Sequence, residues 1–162
     1  MEPWLREIDL GIHPALAQPV FALMQVREDL ERHTAGLTDE QVWASPAGIT
    51  SVGFHLAHIA GSTERLATYL VGRELSEEQL AAMGRESDPG STRDELLARV
   101  GRALDGATAA IRALPEQNLG ALRFVGRKRI RTTAIGLAIH IGEHALRHTG
   151  QVVTACQVLR GW

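Results

Sequence analysis

Residues 134–159 read AIGLAIHIGEHALRHTGQVVTACQVL, and this stretch decides the fold. Leu137, Ala138, Ile141, Ala145, Val152 and Val158 keep to the 3.6-residue period of an amphipathic helix. Thr132 or Thr133 is placed to cap its N-terminus. Working outward, residues 122–131 alternate apolar and basic side chains around Gly126, the pattern of a short extended arm or hairpin. Before them, Leu96, Leu97, Val100, Leu104, Ala107 and Ile111 form a second helical stripe, opened by Ser91 with Asp94 and ending before Pro115. Residues 84–90 are polar and hold Pro89 and two glycines, so they read as an exposed loop. Ser76 with Gln79 caps a short helix through Met83. A long helix is expected from an N-cap at Thr50 or Ser51 to about Val71, with Gly72 as its stop. Thr38 and Gln41 form the capping box of a short helix through Trp43, followed by a break at Ser45-Pro46-Ala47-Gly48. The first stripe, Leu16, Val20, Leu23, Met24 and Leu30, runs from Pro14 to about His33 and ends at Gly36. Four long helices with short ones inserted predict an all-α helix bundle, one domain over residues 1–162.

The bulk properties narrow the function. A net charge of -2 leaves no electrostatic footprint for nucleic acid or an acidic membrane surface. Five cations between Arg123 and Arg131 are a local feature. No apolar run approaches the ~20 residues of a membrane span. Residues 1–10 carry acids and no apolar core, so no signal peptide is expected. The single cysteine, Cys156, excludes an internal disulfide and fits a reducing, cytoplasmic setting.

Five of the seven histidines fall in two stretches, Phe54-His55-Leu56-Ala57-His58-Ile59 and His140-Ile141-Gly142-Glu143-His144-Ala145-Leu146-Arg147-His148. Side chains four apart on a helix differ by about 40° in direction and stand about 6 Å apart along the axis. Two imidazoles at that spacing can address one metal ion. His144 has such a neighbour on both sides, which makes it the strongest single candidate. One helix cannot close the site alone, so His55 or His58 is expected to donate a further nitrogen. Small residues on the His58 stripe, Ala57 and Gly61, would let a partner helix approach. Three histidines leave a coordination position open, the catalytic pattern for zinc, although imidazole suits nickel, copper and iron as well. Against this stands the ordinary account in which each histidine is a hydrogen-bonded packing residue.

Together, Phe54-His55-Leu56-Ala57-His58-Ile59-Ala60-Gly61 and His144-Ala145-Leu146-Arg147-His148-Thr149-Gly150-Gln151 resemble the DinB/YfiT-like family along the whole chain. The resemblance implies an up-down-down-up four-helix bundle, often dimeric. It also implies one divalent ion, zinc or nickel foremost, held by His58, His144 and His148. Characterised relatives include S-transferases that use bacillithiol, mycothiol or glutathione, and a mycothiol-dependent isomerase. The expected function is therefore a metal-dependent transferase or hydrolase acting on a small molecule, with a non-catalytic metal- or ligand-binding stress protein as the alternative. Thr149 departs from the arginine frequent at that position, and His140 is an extra histidine beside the set.

Glu64 and Glu143 are the acids nearest the histidines in sequence and the first candidates to orient an imidazole. Arg123, Arg127, Lys128, Arg129 and Arg131 read as a solvated basic loop, with an anion-binding arm as the sharper alternative. Cys156 reads as a small core residue. Trp4, Trp43 and Trp162 read as packing or interface anchors.

Overall fold

The computed structural model describes residues 1–161; Trp162 lies outside the described residues. Four long helices, α1 (Pro14–Thr34), α3 (Val52–Leu70), α5 (Arg93–Arg112) and α6 (Ala134–Leu159), form the bundle. The short helices α2 (Asp39–Trp43) and α4 (Glu77–Met83) lie in the connections, and an antiparallel hairpin of β1 (Leu122–Val125) and β2 (Ile130–Thr133) precedes α6. Thr38 and Ser76 carry the expected capping boxes and Thr133 caps α6. The start of α5 lies one residue later than read from the sequence: Thr92 with Glu95 forms the box, while the carbonyl of Ser91 accepts from Nε1 of Trp43 at 2.8 Å. At the end of α3, Gly72 at φ +78° reverses the chain so that the Arg73 N–H reaches the Thr68 carbonyl at 3.1 Å.

Contacts at the helix ends fix the directions. Gly142, early in α6, lies against Pro19 and Ala22, early in α1, and Arg160 beyond α6 reaches the carbonyls of His33 and Ala35. These two helices are parallel. Arg93, opening α5, donates to the Thr34 carbonyl at the end of α1, and Arg112, closing α5, donates to Leu10. So α5 runs against α1. His55 meets His148 and His58 meets His144, so α3 runs against α6. The order is up, down, down, up, the four-helix bundle expected from the sequence.

The core is the sum of the four stripes: Leu23 and Leu30 from α1, Leu56 and Ile59 from α3, Leu104 from α5, Ile141 from α6, all at most 1% exposed. Each such side chain contributes about 1.5–3 kcal/mol relative to exposure. Trp43 is packed, its ring so close to Gly53 that a Cβ there would stand 2.6 Å away. Trp4, by contrast, is 55% exposed, and its Nε1 donates to the Glu2 carboxylate at 2.6 Å. Among the described residues no helix is long and apolar enough to cross a membrane.

Helices α1 and α6 approach closely at Gly142, where a Cβ would lie 3.0 Å from that of Ala22 and 3.2 Å from the backbone of Pro19. Backbone cannot swing aside as a side-chain tip can. Gly142→Val is therefore expected to destabilise by about 1–3 kcal/mol, because overpacking exceeds a gain in helix propensity of under about 1 kcal/mol. A urea midpoint equal to that of the wild type would show that the two helices part without cost.

Candidate metal centre

Helix α3 begins at the N-cap Ser51, whose hydroxyl accepts from the Phe54 N–H, and in its first two turns His55 and His58 meet histidines of α6. One turn apart on α6, His144 and His148 face back. One ring nitrogen from each of His58, His144 and His148 lies within 4.8 Å of the other two. Nε2 of His58 and Nε2 of His144 are 3.1 Å apart, and the His58 and His148 ring centroids 4.4 Å. Two nitrogens bound at about 2.0–2.1 Å to a tetrahedral zinc stand roughly 3.3 Å apart, so the cluster fits such an ion without rebuilding the helices. Three protein nitrogens would leave a fourth position free, and the His58 side chain keeps 21% exposure, so solvent reaches the cluster.

Burial also favours the ligating form of the two donors on α6. Burial first, then the neighbouring His148 and His58, pushes His144 down to about 4. The same causes push His55 to about 4, and His148 is lowered chiefly by burial. Neutral imidazole is the ligating form.

The other two histidines of the stretches part company. His55 is buried, 5% exposed, and its Nδ1 lies 3.1 Å from Nδ1 of His148, so it buttresses the trio from behind. The side chain of His140 is 44% exposed and its Nδ1 lies 3.0 Å from Glu143, on the solvent side of α6, where Glu143 also pairs with Arg147. Thr149 is buried and donates its hydroxyl to the Ala145 carbonyl. Cys156 is buried, and burial raises its thiol pKa.

Neither acid singled out from the sequence touches the trio: Glu64 accepts from Gln79 and Glu143 serves His140. The acid at the site is Glu86, in the connection read as an exposed loop, yet only 7% exposed. Its Oε2 lies 2.7 Å from Nδ1 of His58 and its Oε1 accepts from Nη1 of Arg65 at 2.7 Å. Burial opposes its charge, but the hydrogen bonds from His58 and Arg65 prevail and hold its carboxyl below the ordinary range. Gly61 does not admit a helix, as its small size suggested; it admits this pair. Once the burial of Arg65 is known, one residue points there. Arg65 lies seven residues beyond His58, two turns along the same face, and a buried guanidinium needs an acid.

Phe54 stacks on His58, centroids 5.5 Å apart and planes 13° from parallel. It also lines an open groove of about 530 Å³ with Trp43, Ile49, Ser51 and Ser87. The basic hairpin lies elsewhere. Arg123 donates to the Leu70 carbonyl at the far end of α3, and Arg129 lies 4.5 Å over the ring of Phe124.

The sequence matches the model of the DinB superfamily over residues 22–152. No curated protein matches it significantly. Among solved structures, YfiT from Bacillus subtilis, described as a probable metal-dependent hydrolase with an unusual four-helix bundle topology, is similar with a TM-score of 0.65. The match covers 96% of this chain and 94% of that one at 18% identity, a likeness of fold.

Proposed function

The chain belongs to the DinB superfamily, and from that premise we propose that it is a metal-dependent enzyme, a hydrolase or a thiol S-transferase, working through a divalent ion held by His58, His144 and His148. The observation that carries this reading is the convergence of three imidazoles from two antiparallel helices on one point. The description of YfiT as metal-dependent points the same way. A bound zinc or nickel supplies Lewis acidity and lowers the pKa of a water or thiol to near neutrality. The protein's part is to keep the two α6 rings neutral, to hold all three on rigid helices, and to offer Phe54, stacked on His58 and lining the groove, as an apolar contact for substrate. That groove suits a small substrate with an apolar portion, and in the transferase form a low-molecular-weight thiol as its partner. Cytoplasmic placement and a homodimer complete the proposal.

The test is elemental analysis of protein purified without an affinity tag, followed by assays of ester hydrolysis and thiol transfer before and after chelation. One zinc or nickel per chain is expected. A chelator should abolish turnover and leave far-ultraviolet circular dichroism nearly unchanged, because the apolar stripes hold the bundle without the ion. No bound metal sinks the proposal. Metal without turnover of either substrate class supports a non-catalytic binding protein, and unfolding on chelation marks the ion as structural.

A further inference from the structure

Granting the three-histidine site proposed above, we infer that Glu86 is its positioning residue, fixing the tautomer and the aim of His58 from the connection between α4 and α5. The carboxylate divides its two oxygens. Oε1 takes the Nη1 hydrogen bond of Arg65 and Oε2 takes Nδ1 of His58, each at 2.7 Å. A carboxylate oxygen only accepts, so a His58 ring that carries one proton carries it on Nδ1. Its Nε2 is then left with a lone pair, and this is the nitrogen that lies 3.1 Å from Nε2 of His144. Metal-bound histidines usually donate their second N–H to such a partner, which orients the ring and raises its basicity.

Three features show that the arrangement is built rather than incidental. Arg65 is only 8% exposed and has a buried carboxylate to balance it. The helix leaves room for the pair: a Cβ at Gly61 would stand 2.5 Å from Oε1 of Glu86 and 2.7 Å from Nη1 of Arg65. Glu86 itself is delivered by a tight turn, in which the Arg85 N–H bonds the Ala82 carbonyl and the Asp88 N–H bonds that of Arg85. The connection after α4 is thereby tied to the ligand on α3.

The test has two arms and two variants. Long-range ¹⁵N–¹H spectra of histidine-labelled, metal-free protein at neutral pH report the tautomer of His58, and zinc titration reports affinity. In the wild type His58 should carry its proton on Nδ1. In Glu86→Ala that preference should be lost and zinc affinity should fall about 10- to 100-fold. Glu86→Ala leaves Arg65 unbalanced and can cost stability, so Gly61→Ala serves as the second variant. Alanine is the better helix former there, and its methyl displaces the carboxylate without removing it. It should shift tautomer and affinity in the same direction. A wild-type His58 protonated on Nε2, or zinc affinity unchanged in both variants, overturns the inference while the metal site stands. A wild type that takes no zinc overturns the metal site itself, and the inference with it.

Discussion

His144→Ala is expected to lose zinc or nickel by more than 100-fold in affinity, beyond the roughly 10- to 100-fold cost of losing an outer partner. His140→Ala should stay within about 2-fold, the range of an exposed substitution. The two residues are one turn apart on α6 and chemically identical, so the difference measures geometry alone. His144 is drawn into the gap between α3 and α6, with its Nε2 3.1 Å from that of His58. His140 turns its Nδ1 outward to Glu143, and its side chain is 44% exposed. Isothermal titration of both variants, with circular dichroism to check folding, decides the matter. Equal losses would place His140 among the ligands and call for a different ring of donors.

Acid should destabilise the metal-free protein well before its carboxylates titrate. An unfolded histidine has a pKa of about 6.5, whereas burial, then His148 and His58, holds His55 at about 4 in the fold. Below the unfolded value the unfolded chain binds the extra proton, so stability falls as pH falls. The contribution is fully present above 6.5 and is lost on the way down to about 4. For His55, which is 5% exposed, the loss between about pH 7 and pH 5 is about 2 kcal/mol. His144 is likewise held at about 4 and adds a smaller amount, because it is less buried and solvent screens part of the penalty. Urea midpoints of the chelated protein across that range should drop accordingly. A flat profile would mean that the rings accept protons without penalty and that the gap between α3 and α6 is wet.

The elements legible in the sequence are those whose information is local. Capping boxes at Thr38 and Ser76 need only side chains three residues apart, and the helical stripes need only a period, so both could be read directly. The α5 start was displaced by one residue because Ser91 and Thr92 are both able to cap. Glu95 reaches back to the Thr92 N–H at 2.8 Å, one methylene longer than the Asp94 that would have served Ser91. That His144 meets a histidine of α3 was legible because helical spacing restricts where each ring can point, while the choice of His58 over His55, with His148, came from the family resemblance. Glu86 was not legible, since a connection's path over a helix follows no period. The sequence around it is as polar as that of any exposed loop, and the role of Gly61 becomes visible only once Glu86 is in place.

The pairing of the second long helix with the last has a consequence for how the chain matures. His58 and His144 are separated by 86 residues, so no single helix carries both. The cluster is completed only when α6, which follows the other three long helices of the bundle in the chain, docks against α3. An ion held there would therefore discriminate between finished and unfinished molecules. At a free concentration 100 times its dissociation constant it would favour the finished ones by about 2.7 kcal/mol. Metal supply would then govern survival as well as chemistry: chains synthesised in scarcity would reach the same shape but stay more open to proteolysis.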